Sequence, residues 1–227
     1  MKTSIAFLFL IIAVIALSAL FRSGGKPVVL PAAGLPWQIE ILPNGETRVF
    51  GLVPARSTLD DARRRFGLEM EIAVIAAPGE PGSLEAYSSN VTAGVVTGKV
   101  ILLADTDRET VARLRQRAIK TEYMDSTTKK FILHPDDLAL AWRAPIAGIT
   151  FIPSVSLDEK TALARFGVPN ERIRVDDRVE HFLYPEKGLD LALDSKGKEV
   201  LQYIAPRQFA RLREPLIRVA PVTTHRP

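Results

Sequence analysis

From residue 167 to residue 204 apolar side chains recur at every second position, broken only by turn signals. Ile173 and Val175 alternate with Arg172, Arg174 and Asp176. Asp176-Asp177 turns the chain, residues 179–184 run back, and Leu189, Leu191 and Leu193 alternate with Asp190 and Asp194. Ser195-Lys196-Gly197-Lys198 turns again before residues 200–204 close the run. Period two puts successive side chains on opposite faces of a strand, which restricts this stretch to an antiparallel meander. A helix is expected just before it. Ser156-Leu157-Asp158-Glu159 has capping-box spacing, Ala162, Leu163 and Phe166 share a face, and Gly167 with Pro169 supplies a stop. One helix on a short antiparallel sheet is an α+β unit.

The pattern has an upstream counterpart. Thr58-Leu59-Asp60-Asp61 leads to Phe66-Gly67, with a helix two residues shorter. Met70, Ile72 and Val74 then alternate with Glu69 and Glu71, and a Pro78-Gly79-Glu80-Pro81-Gly82 turn separates them from strand-like runs at 84–91 and 95–103. The fold class expected is therefore α+β, with two tandem helix-plus-antiparallel-sheet repeats at 37–148 and 149–213. A Gly/Pro-rich spacer at 22–36 precedes them and an unstructured tail at 214–227 follows. Phe166-Gly167-Val168-Pro169, Phe182-Leu183-Tyr184-Pro185 and Gly188-Leu189-Asp190-Leu191-Ala192-Leu193-Asp194 resemble the SmpA/OmlA family of small envelope proteins, which includes the BamE subunit of the outer-membrane β-barrel assembly machinery. The tandem arrangement is similar to that of secreted β-lactamase inhibitor proteins. The resemblance implies a BamE-like fold in the cell envelope. It does not extend to BamE itself, because family members are typically lipoproteins and this chain has no cysteine to carry a lipid.

The lack of cysteine also excludes disulfides, thiol catalysis and thiolate metal sites. Thirty basic and 26 acidic side chains are interspersed without a block of like charge, and aromatic residues make up only 7%, so no nucleic-acid footprint is present. Residues 5–21 are almost unbroken apolar sequence behind Lys2, and at 1.5 Å per helical residue they reach about 26 Å, enough to cross a bilayer core. They are expected to form an uncleaved inner-membrane anchor, with the bulk of the chain periplasmic. The alternative is a signal peptide cleaved after Ala16-Leu17-Ser18, releasing the chain to the periplasm.

Elsewhere, Asn44-Gly45 predicts a hairpin between 37–42 and 47–53. Thr106-Asp107-Arg108-Glu109 opens a helix whose basic face, Arg113, Arg117 and Lys120, reads as solvated. Residues 131–133 and 149–152 read as strands, and a short basic helix carries Arg207, Arg211 and Arg213. His134-Pro135-Asp136-Asp137 suits a helix start, with proline in the first turn and acids at the positive end of the dipole; the alternative is an envelope hydrolase using His134, Asp136 and Asp137. His134, His181 and His225 share no metal-ligand spacing, no nucleotide or hydrolase motif is present, and neither cofactor nor metal is expected.

In 179–184 and 200–204 both parities carry apolar weight. A sheet covered by helices on one face needs only one, so the second must be covered by the other repeat or by a partner. The binding surface expected from the second alternative is Phe182, Tyr184, Leu201 and Tyr203, with His181 beside it. The function expected is a membrane-anchored periplasmic interaction or scaffold protein that binds another envelope protein through a sheet face, the further alternative being a module for a lipid or small apolar ligand between the repeats.

Overall fold

The computed structural model describes residues 28–30, 34–124 and 127–219. The structure corrects the single-pass inner-membrane placement: among the described residues no helix is long and apolar enough to cross a membrane, and residues 5–21 lie outside them. The proposed cleavage site lies outside them as well.

The elements follow in the order β1 (Val28–Leu30), β2 (Glu40–Ile41), β3 (Thr47–Arg48), α1 (Leu59–Phe66), β4 (Glu71–Ala76), β5 (Ser83–Ala93) and β6 (Val96–Ala104). Next come α2 (Arg108–Gln116), β7 (Lys120–Tyr123), β8 (Lys129–Ile132), α3 (Pro135–Trp142) and β9 (Ile146–Pro153). The chain then continues through α4 (Glu159–Phe166), β10 (Glu171–Arg174), β11 (Val179–Tyr184), β12 (Leu189–Asp194), β13 (Val200–Ile204) and α5 (Ala210–Val219).

Two tandem repeats are not what these elements build. Eleven strands join in one sheet, ordered β10-β11-β12-β13-β9-β6-β5-β4-β8-β7, with β1 added alongside β5. Every pairing along that path is antiparallel, and only β1 runs parallel to its neighbour. The boundary expected between 148 and 149 falls inside β9, which pairs with β6 on one side and β13 on the other. Phe151 stands opposite both Val100 and Leu201. Gly98 on β6 permits this close approach, because a Cβ there would lie 2.5 Å from the Phe151 ring.

A single core underlies one face. Leu59, Ala62 and Phe66 of α1, Val111 and Leu114 of α2, Trp142 of α3, and Ala162 and Phe166 of α4 pack with Val74, Val100, Leu102, Phe151, Leu191 and Leu201 of the sheet. Phe50 sits at its centre with its ring 5.9 Å from Phe66, 5.4 Å from Phe151 and 5.7 Å from Tyr203. Its φ of 55° is unusual for a non-glycine residue, and the surrounding aromatic packing compensates for that backbone conformation. On the opposite face α5 seals one end, with Leu212 and Leu216 packed on Ile173, Leu183 and Ile204.

Local signals differ in detail from those expected. The capping box at Thr58 forms, with Asp61 N–H donating to the threonine hydroxyl (3.2 Å) and the Asp61 carboxylate accepting from Thr58 N–H (2.8 Å). In α4 the cap is Asp158, not Ser156, accepting from Thr161 N–H at 2.8 Å; α1 and α4 are both eight residues long. Likewise Asp107, not Thr106, caps α2. The Asn44-Gly45 hairpin shrinks to two residues on each side. The tail expected from Glu214 begins instead inside α5, which runs through Pro215 to Val219, while residues 220–227 lie outside the described ones.

Candidate interaction surface

The five residues expected to form a binding face are interior. Phe182, Tyr184, Leu201, Tyr203 and His181 are each 2% exposed or less. Phe182, Tyr184, Leu201 and Tyr203 point to the helix-covered face and belong to the main core. Phe166 lies 6.2 Å from Tyr184, whose hydroxyl donates to Gly167 O at 2.9 Å, and Arg172 stacks over Phe182 at 4.2 Å. The Tyr203 hydroxyl donates to Pro36 O at 2.8 Å. Both parities of β11 and β13 are apolar because both faces are covered at this end, by α1 and α4 on one side and α5 on the other.

His181 lies on the face opposite Phe182, because neighbours along a strand alternate. Its Nδ1 is 2.8 Å from Asp190, and both residues are buried. Burial opposes charge on the ring, but the Asp190 charge, the hydrogen bond to it and the more distant Asp176 together hold the imidazole above its ordinary value. On the same face Glu85 is buried, and desolvation pushes its carboxyl up to about 7 against the opposing Ser83 hydroxyl, which donates to it at 2.6 Å. Burial also drives the Tyr203 phenol well above its usual range. Among the described residues no cluster of His, Asp and Glu is arranged to hold a metal ion.

His134, Asp136 and Asp137 come together as a helix cap. His134 Nδ1 accepts from Asp136 N–H at 3.3 Å, Pro135 fills the first turn, and Asp137 accepts from Arg117 Nε at 2.8 Å. These side chains start α3 and tie it to α2. That pairing takes Arg117 out of the expected basic face, and Lys120 leaves it too, lying on β7 beside Glu122 at 2.8 Å.

Two exposed apolar side chains lie together at the β7 end of the sheet, others such as Val95 and Val168 standing singly in loops. In the edge strand β7, Tyr123 is 74% exposed, and Ile119 just before it is 60% exposed. Tyr123 stands opposite Lys129 and Lys129 opposite Ala76, so the three form one row on the helix side of the sheet. Beside that row opens a recess of about 510 Å³ between the β4–β5 turn and α2. Arg108, Arg115 and Lys129 line it together with Glu80 and the turn prolines Pro78 and Pro81. Arg115 is fixed in place: its guanidinium donates to Pro81 O at 2.7 Å and Glu80 O at 3.1 Å and stacks 4.8 Å from the Phe131 ring. Sequence reading passed over this group. The signal was the seven-residue spacing of Arg108 and Arg115, two helical turns, which puts them on one stripe of α2.

The opposite edge is closed to such use. In β10, Arg172 is paired with Glu159, Arg174 with Glu180 and Glu171 with Arg213, while Ile173 is buried under α5. The ligand site expected between the repeats has no counterpart in this recess, which lies at the rim. No protein-family model matches the chain, and no curated protein or solved structure does. The SmpA/OmlA resemblance therefore rests on the quoted residues alone.

Proposed function

We propose that this chain is a protein-interaction module that docks another protein along the β7 edge of its sheet. The observation that carries the reading is the contrast between the two edges. A sheet edge presents backbone N–H and C=O groups in a row ready to pair with an added strand, and folded proteins commonly blunt it with charge or cover. Ion pairs and α5 guard β10, whereas β7, which carries the Lys120–Glu122 pair, leaves Tyr123 and the preceding Ile119 open to solvent. Tyrosine at an edge supplies a large contact area with little entropy to lose. The sheet behind it is one packed body from β7 to β10, which suits a scaffold that presents a surface without deforming.

A photo-crosslinking amino acid placed at position 123 in the full chain, compared with one at Leu140 on α3, tests this in intact cells. An adduct of defined mass at 123 and none at 140 is expected. No adduct at 123, or the same pattern from both positions, contradicts the proposal.

A further inference from the structure

The recess between α2 and the β4–β5 turn gathers charge that the fold leaves uncompensated. Arg108 and Arg115 come from one stripe of α2 and Lys129 from β8, and among the described residues none of the three pairs with a carboxylate. Elsewhere such cations stand singly or are neutralised: Arg63 lies over the Trp142 ring and Arg165 over Trp37, whereas Arg64, Arg172, Arg178 and Arg213 each hold an acid. Lys129 rests 5.3 Å from the Tyr123 ring, which leaves its charge unneutralised. Arg115 is the fixed member, its Nη1 donating to Pro81 O and Glu80 O and its guanidinium carbon 4.8 Å from the centre of the Phe131 ring. Those contacts leave the Nε–Nη2 edge without a partner among the described residues, and that edge grips an oxyanion with two parallel N–H donors. The facing wall is fixed too. Glu80 N–H donates to Ala77 O at 3.0 Å, and a Cβ at Gly82 would stand 2.6 Å from Ile75 O, so the turn closes only with glycine there. Three cations thus share about 510 Å³ with one acid, Glu80, an excess of two positive charges.

We propose that the recess binds an organic phosphate monoester. Such a group carries about −1.5 to −2 charge near neutral pH and offers three acceptor oxygens, matching both the excess charge and the number of cationic side chains. A carboxylate offers a single charge and two oxygens in one plane. The free edge of Arg115 takes two phosphate oxygens side by side, while Lys129 from β8 and Arg108 from the first turn of α2 close on the remainder with flexible stems. The recess falls within the roughly 300–1,000 Å³ of small-molecule sites, more than a phosphate fills, so the carbon skeleton of the ester lies along Ala77, Pro78 and Pro81. A soluble phosphate ester and a phosphatidic-acid headgroup present this same chemistry. Docking along β7 is not required for the site.

Isothermal titration calorimetry of glycerol 3-phosphate into the full chain is the test, with inorganic phosphate and succinate as comparators and phosphatidic-acid vesicles as the lipid form. Glycerol 3-phosphate is expected to bind with a dissociation constant at or below about 1 mM, at least about threefold tighter than either comparator. Raising the salt from about 50 to about 300 mM weakens binding about threefold to tenfold, as exposed charge pairing requires. Lys129→Glu abolishes binding and Arg108→Gln weakens it about threefold to tenfold, both with little change in melting temperature, while Arg113→Gln, on the same helix outside the recess, leaves it within about twofold. Vesicle binding that Lys129→Glu removes assigns a lipid headgroup as the source of the phosphate; binding of the soluble ester alone assigns a free ester. No binding of glycerol 3-phosphate at about 10 mM, equal affinity for succinate, or indifference to both Arg108→Gln and Lys129→Glu overturns the proposal whatever the vesicles show.

Discussion

Glu85 keeps its proton in the fold up to about pH 7, whereas an exposed glutamate loses it near 4.3. Between those values the unfolded chain binds fewer protons than the native one, so stability falls as pH rises. His181 acts in the same direction: held above its ordinary 6.5, it contributes fully below that pH and loses its contribution as pH rises through the raised value. The carboxylates held low, such as Asp61 by the Thr58 amide and Asp176 by the amides of Arg178 and Val179, act oppositely but only below the usual carboxylate range. The chain is therefore expected to melt at a higher temperature at pH 5.5 than at pH 8. Glu85→Gln should remove most of the change between pH 5.5 and 7, on the order of 1.5 kcal/mol; an unaltered profile would show that water reaches the carboxylate. Phe182→Ala and Tyr203→Ala should each cost about 3–5 kcal/mol in urea denaturation, because each empties volume in a closed core. Sequence reading found both residues and the apolar weight on both parities. It had no means of telling α4 and α5 from an outside partner as the cover, since cover is a tertiary fact.

At the scale of elements, the strand run from β10 to β13 and helices α1, α3 and α4 were legible from period, turn residues and stops. The caps were not fully so. Ser156 and Asp158 both have cap chemistry, and only the backbone entry into α4 decides between them. Asp158→Ala should cost about 1 kcal/mol in chemical denaturation, Ser156→Ala less than about 0.5 kcal/mol; equal losses would restore the earlier cap. The C-terminal half of helix α5 was hidden by Pro215, which reads locally as a breaker, yet burial of Leu212, Pro215 and Leu216 holds the helix through it. β7 escaped notice because four mixed residues, Lys-Thr-Glu-Tyr, carry no period that separates a strand from a turn. Its neighbours Lys129 and Arg115 meet only once α2 has folded back over β4 and β8.

For the molecule as a whole, the decisive feature is the seam where β13, β9 and β6 run side by side. Helix starts and stops recurring along the chain suggested two bodies. Nothing in the alternation of residues 146–153 announces that this strand is paired on both sides, because register between distant strands is set by the assembled sheet. A closed seam makes the chain one cooperative unit and gives β7 a rigid backing. Native-state hydrogen exchange across a denaturant series tests this most directly. Amides of β6, β9 and β13 should merge into one opening at the global unfolding free energy; opening of residues 159–219 as a separate step, with residues 59–104 still protected, would contradict it.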